Sequence, residues 1–262
     1  MPKKNTVRSY KVVIDRFCQQ HGNDDVDQLT SDQILAFLNQ LTESNKSYTK
    51  RIRYSQLLCF FNFVHNNITH NVGNPCDNST LRKLYREKLT TRWEVIEKDT
   101  IDEIIFRTTK IRNRLMLELM ARGGMRIGEV LKLRMKDLQG RKLILYEPKS
   151  GKEQEIVFIP QKVADRLNIY ASSKCTRPDD RIFPITYEAA RAMVQKAGKL
   201  VGIHLRPHDL RRHSATYASR SGVPIEIVSK IILRHSNLST TQRYLGTIND
   251  VEAMRWIENI YR

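Results

Sequence analysis

Two stretches of this chain, 142–147 (Lys-Leu-Ile-Leu-Tyr-Glu) and 154–159 (Gln-Glu-Ile-Val-Phe-Ile), alternate well enough to be strands. The segment between them, Pro148-Lys149-Ser150-Gly151-Lys152, is rich in turn formers and reads as the tip of a hairpin. Elsewhere the apolar residues recur every three or four positions, a spacing that puts them on one side of a helix rather than one face of a sheet. The chain is therefore expected to be mainly α with a small antiparallel β-sheet.

Along the chain, Tyr10, Val13, Ile14 and Phe17 mark a first helix over 6–20, and Thr30-Ser31-Asp32 offers caps for a second that carries Ile34, Leu35, Phe37, Leu38 and Leu41. A third helix starts near Ser47 and runs through Tyr54, Leu57, Leu58, Phe61 and Val64, with Lys50, Arg51 and Arg53 in its first turns. Asn74-Pro75 stops the pattern, since proline disfavours helical backbone in the residue before it. Residues 1–76 then form a small helical domain. Residues 77–94 read as a basic linker holding one short helix, with Arg82, Lys83 and Arg86 around the apolar Leu81, Leu84 and Tyr85. A second domain, 95–262, opens on Thr100-Ile101-Asp102-Glu103, a capping-box pattern, and its further helices are expected near 161–171, 186–200, 207–221, 224–233 and 250–260.

At 262 residues the chain is long enough for one large domain or two modest ones, and its formal charge of +17 fits a polyanionic partner such as nucleic acid or, equally, a basic inert surface. Cys18, Cys59, Cys76 and Cys175 are widely spaced, with no CxxC pair and no signal peptide, which predicts reduced thiols and a cytoplasmic protein. Apolar runs such as 225–233 are too short and interrupted to span a bilayer. There is no GxxxxGK[ST] loop to support nucleotide hydrolysis. His204, His208 and His213 do not make a metal site, because Arg206, Arg211 and Arg212 crowd them and Asp209 is the sole nearby carboxylate.

Chemistry concentrates near the C-terminus, in Pro207-His208-Asp209-Leu210-Arg211 and in 233–246, which contains His235 and Tyr244. His208 and Arg211 share a helix face, and Pro207 suits the first turn of that helix. Arg126 follows Gly123-Gly124 at a helix start, where backbone amides and a guanidinium can meet an anion together. Tyr244 lies beyond a candidate cap at Ser239 and beside Arg243. A tyrosine hydroxyl with a pKa of about 10 needs cationic neighbours or a base to act as a nucleophile. Read singly, each of these residues is as well explained by a solvated face or a packed ring. Their arrangement as a set suits a phosphodiester, because arginines grip its oxygens, histidines move or share a proton and a tyrosine can attack phosphorus.

Arg126 with Glu129, a hairpin lysine, His208 with Arg211, His235 and Tyr244, in that order, resemble the tyrosine recombinase family, the phage integrase and Xer-like enzymes. The resemblance extends over essentially the whole chain, with residues 1–76 similar to that family's core-binding domain and residues from about 95 onward similar to its catalytic domain. It implies a site-specific recombinase that cuts and rejoins double-stranded DNA through a 3′-phosphotyrosine, with no cofactor or metal, working as a homo-oligomer of four protomers on DNA. In that scheme Tyr244 is the nucleophile, Arg126 and Arg211 hold the phosphate, Lys149 protonates the leaving oxygen, His208 assists proton transfer, His235 hydrogen-bonds the phosphate and Glu129 buttresses the site. Lys50, Arg51, Arg53, Arg82, Lys83 and Arg86 become candidate DNA contacts, and 250–260 a helix that docks on a neighbouring protomer. Lys152 competes with Lys149 for the acid role. Arg234 stands where the family commonly has glycine, a change that would either crowd the turn or add a phosphate contact. The alternatives are a DNA-binding regulator that keeps the fold without cutting, and a type IB topoisomerase or hairpin-forming resolvase with the same chemistry.

Overall fold

The computed structural model describes residues 4–68, 73–86, 95–146, 148, 153–242, 244, 245, 254, 257 and 258. The chain divides into two units, Met1–Thr91 and Arg92–Arg262.

The first unit holds α1 (Lys4–His21), α2 (Ser31–Thr42), α3 (Ser47–Asn67) and α4 (Ser79–Leu84). Its core gathers Val13 and Phe17 of α1, Ile34, Phe37 and Leu38 of α2, and Tyr54, Leu57 and Phe61 of α3. Phe17 is the hinge of this packing, presenting its ring edge-on to Phe37 at 5.2 Å and to Phe61 at 5.7 Å, the geometry that ring quadrupoles favour. Thr30 caps α2 through a capping box with Gln33, so the helix starts where the cap candidates placed it.

The segment after Asn74-Pro75 departs from the linker reading. Asn78 caps α4 by accepting the Thr80 amide at 2.7 Å, and Leu81 and Tyr85 are buried in the first unit's core. Tyr85 stacks on Tyr54 at 5.0 Å, and the Tyr54 hydroxyl donates to the Cys76 carbonyl at 3.0 Å. The apolar stripe was too short to separate a packed helix from a tether, and burial decided it. Residues 87–94 lie outside the described residues.

In the second unit, α5 (Lys98–Arg107), α6 (Ile111–Ala121) and α7 (Ile127–Lys132) precede a 3₁₀ turn (Met135–Asp137) and the strands β1 (Leu138–Gln139), β2 (Lys142–Tyr146) and β3 (Gln154–Phe158). There follow α8 (Gln161–Lys174), α9 (Tyr187–Lys199), α10 (Pro207–Arg220), the single turn α11 (Ile225–Ile227), a π-helical turn (Val228–Ile232) and α12 (Leu238–Gln242). Helix α5 begins ahead of the expected capping box, with Glu97 at its cap. Thr100 and Glu103 fall inside it, where Lys98 pairs with Asp102 at 2.7 Å and Glu103 with Arg107 at 2.6 Å, the i,i+4 spacing that supports a longer helix.

Helix α6 is the axis of this unit. Every residue from Leu115 to Ala121 is buried, and α5, α7, α8 and α10 pack around it. Even Glu118 is inside, held by Arg166 at 2.5 Å. The sheet is antiparallel in the order β1-β2-β3, with β1 a short edge strand that the alternation pattern had not marked. Leu143 and Leu145 of β2 face inward opposite Val157 and Glu155 of β3, so a carboxylate occupies a position the pattern reserves for an apolar side chain.

If α4 belongs to the first unit's core, Leu81→Ala should destabilise that unit by about 3 kcal/mol, the usual cost of truncating a buried leucine. Native-state hydrogen exchange over α1 to α3 reads the loss directly. A change below about 0.5 kcal/mol, as expected for a surface site, would restore the tether reading.

Candidate active site

Three segments distant in sequence meet at one side chain. Arg211, on the second turn of α10, is wholly buried and donates through Nη1 to the Gly124 carbonyl and through Nη2 to the Leu233 carbonyl. Both carbonyls belong to non-helical backbone. Gly124, at φ +59°, has the left-handed conformation that costs glycine least, and a Cβ there would lie 2.8 Å from the Ile232 carbonyl oxygen. Gly124 therefore lets the α6–α7 turn approach the π-helical turn closely enough for one guanidinium to bridge them. The Arg211 Nε has no hydrogen-bond partner among the described residues.

Arg126 caps α7 with extended backbone. Its amide donates to Glu129 Oε2 at 2.8 Å, while its Nη1 donates to Glu129 Oε1 at 2.5 Å, so one carboxylate orients both ends of the residue. Glu129 also accepts from Arg234 Nη2 at 2.8 Å. Burial pushes the Glu129 carboxyl upward, but the charges of Arg234 and Arg126 and the Arg126 amide outweigh it, and its pKa lies below the usual range. It is ionised at neutral pH. The buttress inferred for Glu129 is thus a three-way contact, in which one carboxylate tethers two arginines.

Arg234 neither crowds its turn outward nor reaches toward solvent. It is the one described non-glycine residue with positive φ, at 53°, which is why a glycine suits this position. Its guanidinium points inward, is nearly fully buried, and donates to the Ile232 carbonyl at 2.7 Å and the Gly124 carbonyl at 3.3 Å besides Glu129. Its Nε lies 3.5 Å from Glu155 Oε2. That spacing is too long for a good hydrogen bond, so the pair is Coulombic, and both Glu155 oxygens are without hydrogen-bond partners among the described residues. The buried Glu155 on β3 and the arginine in place of glycine thus explain each other. Sequence reasoning did not select Glu155, although a carboxylate at an inward strand position was a visible signal.

His208 lies on the first turn of α10 with one side open to solvent. The protein packed against its other side, and then the charges of Arg211, Arg212 and Arg126, lower its pKa. His235 is lowered to about 4, first by burial and then by Arg211, Arg126 and Arg234. Its Nδ1 is 3.0 Å from Thr241 Oγ1, and its ring meets that of Tyr244 edge-on at 5.0 Å. Tyr244 follows α12, packs against the small cluster of Ala215, Ala218, Val228 and Leu233, and has the Arg212 guanidinium 5.9 Å from its ring centre. Thr216 of α10 donates to the Tyr244 carbonyl at 3.1 Å. The cap before Tyr244 is Asn237, which accepts the Ser239 amide at 2.9 Å, so Ser239 itself is inside the turn.

Arg126, Glu129, His208, Arg211, His235 and Tyr244 are therefore brought together. Lys149 and Lys152 lie outside the described residues. In the first unit, Lys50 is half-buried and Arg51, Lys83 and Arg86 are exposed. Arg53 instead holds α3 to α1, donating to the Ser9 carbonyl at 3.0 Å and to Gln56 at 3.1 Å, and Arg82 pairs with Asp77. Among the described residues, no group of three or more His, Cys, Asp or Glu could hold a metal ion, and no helix is long and apolar enough to cross a membrane.

Residues 94–248 match the phage integrase family, and residues 2–69 match the phage integrase N-terminal SAM-like domain. The chain belongs to the phage integrase family. It is a tyrosine recombinase. The tyrosine recombinase XerA of Pyrococcus furiosus is 29% identical over 92% of this chain and 83% of its own length. XerA of Pyrococcus horikoshii is 27% identical over 92% of this chain and 82% of its own. Among solved structures, the XerH site-specific recombinase bound to a palindromic difH substrate has a TM-score of 0.77 at 17% identity, covering 98% of this chain and 80% of that one. The Tn1549 transposon integrase in complex with transposon right end DNA has a TM-score of 0.72 at 17% identity, covering 100% and 95%. These likenesses are likenesses of fold.

Two outcomes follow from the buried charges. Arg234→Gly relieves a backbone cost of about 1 kcal/mol but strips Glu155 of its counter-charge, a loss of about 3 kcal/mol, so the variant should be less stable. Adding Glu155→Gln should recover most of the loss in denaturant titrations, and additive effects would show that the pair carries no coupling. The second outcome concerns acid. His235 has a pKa of about 4 in the folded chain, against about 6.5 unfolded. Its contribution is intact above the unfolded value and is lost as pH falls from there through the folded value. His235→Gln should therefore lose less stability between pH 7 and pH 5 than the parent chain does.

Proposed function

We propose that this recombinase cuts and rejoins DNA with Tyr244 as nucleophile and Arg126, Arg211, His208 and His235 around the scissile phosphate. The observation that carries the reading is the bridging of the 124–129, 207–211 and 233–244 segments by Arg211, which sets an excess of guanidinium charge beside a tyrosine. Burial, then Arg126 and Arg234, lower Arg211 to about 9, and it stays cationic at neutral pH. A site that holds mutually repelling arginines gains most from a polyvalent anion.

In the forward step the Tyr244 oxygen attacks phosphorus, the bond from phosphorus to the 5′-oxygen breaks, and a 3′-phosphotyrosine and a free 5′-hydroxyl result. The tyrosine proton passes toward His208, which is neutral at physiological pH and able to accept it. The leaving oxygen takes a proton from Lys149, with Lys152 the competitor. Arg126 and Arg211 stabilise the charge that grows on the non-bridging oxygens. Attack by the 5′-hydroxyl of a second strand reverses these steps. One phosphoester replaces another, so the linkage energy is conserved without a nucleotide.

The net charge of +17 matches double-stranded DNA as substrate. The first unit acts as the core-binding domain, with Lys50, Arg51, Lys83 and Arg86 as phosphate contacts. Exchange between two duplexes calls for four protomers, in the cytoplasm where the DNA is. Within 250–260 the described Met254 and Ile257 are helical and exposed, which suits docking on a neighbour.

The decisive test is covalent trapping on a nicked duplex selected from a random pool for tight binding. The parent chain should form an adduct that survives denaturing detergent, whereas Tyr244→Phe should bind the same duplex and form none. An adduct of normal yield from that variant would remove Tyr244 from its role, and binding without any adduct from the parent chain would favour a non-cutting regulator.

A further inference from the structure

Behind His235 lies a pair of buried hydroxyls to which the mechanism gives no part. Thr241 on α12 is wholly buried and Ser229 in the π-helical turn nearly so. Thr241 Oγ1 sits 3.0 Å from His235 Nδ1 and 2.8 Å from Ser229 Oγ. The turn is closed by the His235 amide, which donates to the Ser229 carbonyl at 2.9 Å. Thr241 also supplies the carbonyl that accepts the Tyr244 amide at 2.8 Å, so the residue that touches the histidine ring also holds the backbone of the nucleophile.

The direction of these hydrogen bonds follows from counting donors. Each hydroxyl has a single hydrogen, and a neutral imidazole carries its proton on one nitrogen only. If Nδ1 held the proton, it would donate to Thr241, Thr241 would donate to Ser229, and the Ser229 hydrogen would be left over. Ser229 Oγ has no other acceptor among the described residues, and a buried donor without a partner costs about 1–3 kcal/mol. In the opposite direction nothing is left over. Ser229 donates to Thr241, Thr241 donates to Nδ1, and the imidazole proton resides on Nε2.

We propose that Ser229 and Thr241 are positioning residues that hold His235 in the Nε2–H tautomer, so that the ring presents a hydrogen-bond donor, not a lone pair, to a non-bridging oxygen of the scissile phosphate. The phosphate in this statement rests on the proposed function; the tautomer does not. Because His235 is neutral at physiological pH, no second ring proton is present to serve in either orientation. A wrong tautomer would aim a lone pair at an anion. The relay also spans the π-helical turn and α12, so one residue, Thr241, meets the ring through its hydroxyl and the Tyr244 amide through its carbonyl.

The test has a spectroscopic and a kinetic arm, both on the full chain. Two-bond proton–nitrogen correlation of ¹⁵N-histidine-labelled protein at pH 7.5 should report His235 with Nε2 protonated and Nδ1 bare. Finding the proton on Nδ1 overturns the proposal outright, with no variant needed. In single-turnover cleavage, Thr241→Val and Ser229→Ala should slow adduct formation about tenfold or more while leaving duplex binding unchanged, a fraction of the loss from removing a transition-state donor altogether. Thr241→Ser, which keeps the hydroxyl, should restore the rate. Equal slowing by Thr241→Ser and Thr241→Val, with the tautomer unaltered in both, would reduce Thr241 to a packing role. A parent chain that shows the Nε2–H tautomer yet forms no adduct would sink the recombinase reading and leave the relay standing.

Discussion

A guanidinium taken wholly out of water costs several kcal/mol unless acceptors meet it, and Arg211 finds them in the Gly124 and Leu233 carbonyls. Each of those carbonyls is free to accept because it sits where regular helix has stopped. Gly124 lies within the break between α6 and α7, and Leu233 ends the π-helical turn. The irregularities and the buried charge therefore require each other. Were either turn a continuous helix, its carbonyls would be occupied within it, and the arginine would have nothing to bridge.

Burying one arginine creates a second problem, which the neighbouring carboxylates address. Arg126 and Arg234 both depress Arg211 by repulsion, and Glu129 offsets part of it while tethering the other two. Glu155 adds a second negative charge from β3, close to Arg234. The sheet is thereby joined to the arginine cluster electrostatically as well as by packing. Arg234 accepts left-handed backbone for the sake of these contacts, where a glycine would adopt the turn freely but would answer neither carboxylate.

The histidines illustrate how the same field serves chemistry. Crowded by burial and guanidinium charge, His208 and His235 are both pushed toward the neutral form, in which one nitrogen accepts and the other donates. Protonation state alone then fails to say what either ring offers a phosphate. The hydrogen-bond partner of the far nitrogen decides, and for His235 that partner is a threonine three residues before Tyr244.

The sequence by itself determined the helical majority and the pairing of β2 with β3, because periodicity records which side of an element is buried, and it singled out Arg126, His208, Arg211, His235 and Tyr244, which the fold then brings together. It also marked Arg234 as a departure, without showing which way the side chain would turn. Tertiary structure alone decided what depends on partners remote in sequence. Leu81 and Tyr85 are core residues because α2 and α3 cover them, not because six residues of α4 are strongly amphipathic. That Arg53 ties α3 to α1 emerges only once Ser9, far away in sequence, is placed beside it. The ties among Arg234, Glu129 and Glu155, and among Ser229, Thr241 and His235, have no sequence signature, since a buried polar group is defined by what surrounds it, and only the packed fold supplies the surroundings.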